Sequence, residues 1–180
     1  MLDRAQAILL VIDIQDKLFP RDAAMVESLL THSMKLIRAA RILNIPVLVT
    51  EQNPDKLGAT NVRVGETVGE APRFSKMEFG CLGNAVFRAA LTALGRNQLI
   101  VVGMETHICV MQTVLAALEE GYEAYVVRDA VSSMEPCERE AGLDRMARAG
   151  AIPITTQRAL FELLRAAGTP EFRAMLPLLK

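Results

Sequence analysis

Gln98-Leu99-Ile100-Val101-Val102-Gly103-Met104-Glu105-Thr106-His107-Ile108-Cys109-Val110 is the stretch that decides the architecture. Leu99 to Val102 are consecutively apolar, the pattern of a strand buried on both faces. The run passes through Gly103, and helical spacing of apolar residues takes over from about 108 to 120. A doubly covered strand leading directly into a helix is the repeating unit of α/β proteins.

The same alternation extends in both directions. Ala7-Ile8-Leu9-Leu10-Val11-Ile12 is a second strand apolar on both faces. From Asp22 to Leu43, Met25, Leu29, Leu30, Met34, Ile37 and Ala40 recur at helical spacing. Residues 45–50 form the next strand, with Pro46 tolerated at its start. Residues 51–70, rich in Gly, Asn, Asp and Pro, read as one long loop. A short strand over 72–75 ends near Lys76, and a helix over 83–94 is closed by Gly95. On the C-terminal side, Glu123 to Val127 is a strand, and Pro136 opens a helix reaching about Ala149. Ile152-Pro153-Ile154 is the last strand, and Thr156 caps a helix ending near Gly168. The expectation is an α/β fold in three layers: a six-stranded, mainly parallel, Rossmann-like sheet with helices on both faces, formed by residues 1–180 as a single domain.

Composition narrows the class. The 180 residues are 51% hydrophobic, enough for a substantial core. Twenty Lys and Arg against 21 Asp and Glu leave a net charge of −1, with no electrostatic footprint for nucleic acid or an anionic membrane. No apolar run approaches the roughly 20 residues of a membrane helix, and the N-terminus does not resemble a signal peptide. Three widely spaced cysteines, Cys81, Cys109 and Cys137, do not form a disulfide framework. A cytoplasmic protein is expected. Two histidines and no cysteine cluster give a zinc site little support. Neither G-x-G-x-x-G after the first strand nor a phosphate-binding G-x-x-x-x-G-K-[ST] occurs.

In parallel sheets, ligands bind beyond the carboxyl ends of the strands. Asp13, Lys76 and the segment Gly103 to Cys109 lie there. Two readings are open for Asp13: a base, or a loop-capping carboxylate held by backbone N–H groups. Cys109, at the expected start of a helix, is either a nucleophile with a lowered pKa or a small buried hydrophobe. Lys76 is either a solvated lysine or a cation that keeps Asp13 ionised and favours a thiolate. Cys81 is the rival nucleophile. His107 invites a Cys–His dyad, yet side chains two residues apart at a helix start point apart, which favours a pocket-lining or packing role. Cys, Asp and Lys at adjacent strand ends together make a nucleophile, a base and an electrostatic organiser.

These residues resemble the isochorismatase-like cysteine hydrolases over nearly the whole chain. The resemblance is carried by Val11-Ile12-Asp13-Ile14-Gln15-Asp16 and by Gly103-Met104-Glu105-Thr106-His107-Ile108-Cys109-Val110 followed by Gln112-Thr113. Thr50-Glu51-Gln52-Asn53-Pro54, with Leu57-Gly58, is similar to the branch of small isochorismatase-domain hydrolases. The resemblance implies a triad of Asp13, Lys76 and Cys109, and a non-proline cis peptide at Met104–Glu105. It also implies an oxyanion hole from the N–H groups of Glu105 and Cys109. The nicotinamidase branch carries a metal-binding D-x-H where this chain has Glu51-Gln52-Asn53, so no metal and no cofactor are expected. The branch that hydrolyses isochorismate lacks the cysteine, so Cys109 points to attack on a carbonyl-like carbon.

The expected function is hydrolysis of a small amide or related C–N bond through a Cys109 thioester, by a homo-oligomer. Gln15, Glu51, Gln52, Phe79 and His107 are candidate pocket residues. The alternative is a catalytically weak, oligomeric or redox-responsive protein that keeps the fold.

Overall fold

The computed structural model describes residues 1–179. Six strands, β1 (Ala7–Ile12), β2 (Val47–Gln52), β3 (Arg73–Lys76), β4 (Gln98–Gly103), β5 (Glu123–Val131) and β6 (Ile152–Ile154), form one sheet in the order β3-β2-β1-β4-β5-β6. Every neighbouring pair is parallel. The expected α/β architecture is present, and its sheet is parallel throughout.

Period-two geometry of the central strand separates two cores. Leu9 and Val11 of β1 face one side, where α1 (Ala23–Ile42), α3 (Val62–Val68), α7 (Thr156–Leu164) and α8 (Pro170–Met175) supply Leu29, Ile37, Val64, Leu160 and Met175. Ile8, Leu10 and Ile12 face the other, against Phe87 and Leu91 of α4 (Ala85–Ala93), Val114 of α5 (Met111–Glu119) and Leu143 of α6 (Pro136–Arg148). All six residues of β1 are buried, as a strand covered on both faces must be. Among the described residues no helix is long and apolar enough to cross a membrane.

Four local expectations are corrected. The second strand spans 47–52 rather than 45–50, because its far end is extended by pairing of Glu51 with Ser75 and of Gln52 with Lys76. The region 51–70 is not a single loop: it holds α2 (Pro54–Leu57) and α3. Its Pro and Asn residues start helices. Pro54 occupies the first turn of α2, and Asn61 Oδ1 accepts from Arg63 N–H at 3.0 Å. The fifth strand continues to Val131. Finally, Thr155 rather than Thr156 caps α7, accepting from Arg158 N–H, while the Thr156 hydroxyl donates to Asp129 Oδ1 at 2.9 Å. Beyond Gly168, α8 forms behind a Thr169 cap.

Two glycines allow the close approaches that shape the sheet's carboxyl edge. Gly103 has φ +126°, and a Cβ there would fall 1.9 Å from the Ile12 carbonyl oxygen. Gly142 lets α6 seat on the segment before α5, where a Cβ would lie 2.8 Å from His107 Cα. Gly142→Ala should therefore destabilise the protein by about 1–3 kcal/mol through overpacking. Thermal unfolding should show a midpoint lowered by roughly 2–12 °C, and an unchanged midpoint would contradict the tight seating.

Candidate active site

Asp13 directly follows β1, with φ +49° and its N–H bonded to the Thr50 carbonyl at 3.1 Å. That turn takes its carboxylate out of the strand direction and places it among the ends of β1, β2 and β3. Oδ1 accepts from the Thr50 hydroxyl at 2.7 Å, and Oδ2 accepts from Lys76 Nζ at 2.6 Å. Neither side chain of this ion pair has any solvent exposure. Lys76 Nζ is further surrounded by Gln52 Oε1 at 2.7 Å and the carbonyls of Glu78 and Phe79, each at 3.1 Å. Burial alone would depress this ammonium's pKa. Asp13, together with the Cys81 and Cys109 thiols, instead holds it above the ordinary lysine value. Lys76 is thus a buried, charged group and not a solvated lysine.

Cys109 approaches the pair from β4. The peptide Met104–Glu105 is cis, in agreement with the resemblance. After it, Thr106–Val110 forms a π-helical turn, in which Val110 N–H reaches back five residues to the Glu105 carbonyl at 3.1 Å. Cys109 therefore sits in a π turn ahead of α5 and not at a free helix start. It is 5% exposed. Burial pushes its thiol up to about 12, the Asp13 charge and hydrogen bond add to the rise, and Lys76 opposes it. Of the two readings open for Cys109, the buried environment is the one present: desolvation outweighs any benefit from a helix start, and the thiol lies well above its ordinary value.

The rival Cys81 is fully buried. Its Sγ lies 3.7 Å from Thr50 Oγ1, and burial followed by the Asp13 charge raises its thiol to about 11. The charges of Asp13 and Lys76 act on it in the same directions as on Cys109. Thr113 links the two cysteines, accepting from Cys81 N–H at 2.9 Å and donating to the Cys109 carbonyl at 2.6 Å.

The five candidate pocket residues separate into distinct roles. Gln15 is wholly buried. Its Nε2 donates to the Gln52 and Gly58 carbonyls at 3.0 and 2.5 Å, while its Oε1 accepts from Gln52 N–H at 2.8 Å. It is a strut between strand ends, which corrects its assignment to a pocket wall. Gln52 is likewise engaged at both ends, on Lys76 and on the Met77 carbonyl. Glu51 accepts from the N–H and hydroxyl of Thr60 at 2.9 and 2.7 Å. Phe79 is 55% exposed. His107 Nδ1 lies 3.1 Å from Ser133 Oγ and 3.5 Å from Glu105 Oε2, so it is anchored to the loop between β5 and α6. Burial raises the Glu105 carboxyl above the ordinary range, against donation from Met134 N–H.

Sequence reasoning quoted Thr50 and Thr113 within motifs without giving either a role, and did not single out the Ser132-Ser133 pair. Thr113 was accessible, because it stands one helical turn after Cys109. Ser132 accepts from both the N–H and the hydroxyl of Thr106 at 2.9 Å, a contact across 26 residues that no local pattern announces.

An all-parallel Rossmann-like sheet with a carboxylate, an ammonium and a thiol at or beyond the ends of β1, β3 and β4 defines an α/β protein with a buried polar site at the carboxyl edge of its sheet. Residues 7–158 match the model of the isochorismatase domain, and the chain belongs to the isochorismatase-like hydrolase family. It is 35% identical over 178 residues to the secreted isochorismatase effector Isc1 of Phytophthora sojae, covering 97% of this chain and 84% of that protein. Among solved structures it resembles the MAR1 ribonuclease of Caenorhabditis elegans, with TM-score 0.89, 34% identity and coverage of 98% and 91% of the two chains. It also resembles the YcaC gene product of Escherichia coli, described as an octameric hydrolase of unknown specificity, with TM-score 0.84, 27% identity and coverage of 92% and 82%.

The charges around the sulfur give a signed prediction. Asp13 disfavours the Cys109 thiolate and Lys76 favours it. Asp13→Asn should therefore lower the thiol pKa and speed alkylation of Cys109 at least tenfold at pH 8, measured by peptide mapping of the folded protein. In the wild type the rate should climb about tenfold per pH unit through pH 10. Fast wild-type labelling that levels off near neutrality would contradict a protonated resting thiol.

Proposed function

We propose that the protein hydrolyses a small amide or related C–N bond through a Cys109 thioester. The observation that carries this reading is the fully buried ion pair between Asp13 and Lys76 at 2.6 Å, whose two charges act in opposite directions on the Cys109 thiol. Because the thiol rests protonated, attack and proton transfer are coupled. Asp13 takes the thiol proton as sulfur bonds to the carbonyl carbon, and Lys76 stabilises the charge that develops on sulfur. Thr106, Ile108 and Val110 commit their N–H groups to the Ser132 and Glu105 carbonyls. The family resemblance assigns the oxyanion to the N–H groups of Glu105 and Cys109, each donor contributing roughly 3–4 kcal/mol to the transition state. Protonated Asp13 passes its proton to the leaving amine, and the C–N bond breaks. It next accepts a proton from water as that water attacks the thioester, and returns it to the departing sulfur as the C–S bond breaks, which releases the acid and restores the Cys109 thiol and the Asp13 carboxylate.

The structural neighbour named a ribonuclease raises phosphodiester cleavage as a competing reading. Recognition of a phosphate backbone rests on available cations, whereas Lys76 is buried on Asp13 and the net charge is −1. The redox-responsive alternative loses its premise as well, since the thiolate is the oxidised form's precursor and Cys109 is buried and protonated. A homo-oligomer is part of the proposal, supported by the octameric YcaC neighbour. So is a reducing, cytoplasmic setting, supported by three free cysteines.

Cys109→Ala should abolish hydrolysis across a panel of small primary amides, ureas and N-carbamoyl compounds, while circular dichroism and the melting temperature stay near wild type. Cys81→Ala should retain most of the activity. Turnover by folded Cys109→Ala would overturn the mechanism, and loss confined to Cys81→Ala would move the nucleophile to that residue.

A further inference from the structure

The acceptors around Lys76 Nζ differ in kind. Asp13 Oδ2 is anionic, whereas Gln52 Oε1 and the carbonyls of Glu78 and Phe79 are neutral. Gln52 is the only neutral acceptor among these supplied by a side chain. Its amide orientation is dictated by its neighbours: Nε2 donates to the Met77 carbonyl at 3.0 Å while Oε1 receives the ammonium at 2.7 Å. The reversed amide would set an NH2 group against an ammonium and a carbonyl against a carbonyl. Gln15 holds the backbone of the same residue from both sides, taking its N–H at 2.8 Å and giving to its carbonyl at 3.0 Å.

We infer that Gln52 is a positioning residue: its locked, uncharged amide aims the Lys76 ammonium at Asp13 and Cys109 and leaves Asp13 as the ammonium's ion-pair partner. This rests on the proposed Asp13–Lys76–Cys109 chemistry and adds to it a reason for an amide at the end of β2. Lys76 and Asp13 together carry no net charge, and the attacking sulfur must gain negative character beside them. An anion in place of the amide would divide the ammonium's field between two carboxylates and set a second negative charge facing the sulfur. The other titratable groups that share this field are Cys81, from the turn before α4, and Glu78, whose carboxyl is lowered chiefly by hydrogen bonds and slightly by Lys76.

The experiment measures iodoacetamide alkylation of Cys109 from pH 6 to 10, by peptide mapping, in the wild type, Asp13→Asn, Gln52→Glu and Gln52→Met. Each protein is checked by circular dichroism and thermal melting. Gln52→Glu nearly preserves size and keeps an acceptor for Lys76. It should slow Cys109 labelling at least tenfold at every pH, opposite in sign to the acceleration by Asp13→Asn. Gln52→Met removes the acceptor without adding charge and should slow labelling at least threefold. A merely structural Gln52 would lower the melting temperature and leave labelling of the folded protein unmoved. Wild-type rates in Gln52→Glu, with Asp13→Asn still accelerated, overturn the inference and leave the triad standing. Wild-type rates in Asp13→Asn overturn the triad itself. Should Gln52→Glu fail to fold, Gln52→Met decides alone: slowed labelling supports the positioning role, and the wild-type rate overturns it.

Discussion

The ion pair between Lys76 and Asp13, closed to solvent on both sides, sets the conditions for everything around it. Two charges removed from water lose several kcal/mol of hydration each, and their attraction offsets this only when the remaining hydrogen-bonding capacity is met. Here it is met from separate elements: Thr50 and Gln52 from β2, and carbonyls of the turn after β3. The strand register must therefore hold to within one residue. Gln52 lies opposite Lys76 in the ladder and Ile12 lies opposite Thr50, so the functional atoms sit at one level of the sheet. A one-residue slip would turn each of these side chains to the opposite face.

The same pair explains why a buried sulfur is suited to a nucleophilic role. A thiol exposed at a helix start would ionise readily but would be a weaker nucleophile for it, since nucleophilicity falls with thiol pKa. In the proposed reaction the sulfur stays protonated until attack, and negative charge arises only as the carbon–sulfur bond forms. Lys76 then stabilises a charge present mainly in the transition state, which is where stabilisation accelerates a reaction. The π turn is part of this arrangement. With Val110 reaching back to Glu105 and Thr106 tied to Ser132, the residues flanking Cys109 are fixed by the loop between β5 and α6 as much as by α5.

Much of this was legible from the chain because its signals are local. Leu99 to Val102 and Ala7 to Ile12 could only be strands covered on both faces, and residues at their carboxyl ends were then candidates by topology. Asp13, Lys76 and Cys109 were singled out that way, and the structure pairs Asp13 with Lys76 where both charges act on the Cys109 thiol. What escaped were properties set by burial. Nothing in Thr106-His107-Ile108-Cys109 states how much water reaches the sulfur, so the helix field was expected to dominate where desolvation does. Gln15 and Gln52 were read as pocket residues because polar side chains near a site commonly face the ligand. Gln15 meets the backbone of Gln52 across 37 residues through the β1–β2 pairing, and the Gln52 amide meets Lys76 across 24 residues through β2–β3. The helices inside 51–70 were hidden for a related reason: Pro54 and Asn61 are loop formers by composition and helix starters by position.

If the proposed chemistry holds, so closed a site also constrains what it can act on. Asp13 and Lys76 have no exposed side-chain surface and Cys109 retains only 5%, which leaves little room beside the sulfur. A bulky group on the carbonyl side would have to displace the very residues that hold the charges. A small, neutral carbonyl compound meets no such conflict, and it brings no charge that would compete with Asp13 for the ammonium. An anionic substrate at the same distance would draw Lys76 away from its partner and weaken the base that the thiol needs. Size and charge thus act in the same direction, and both follow from how deeply the ion pair is buried.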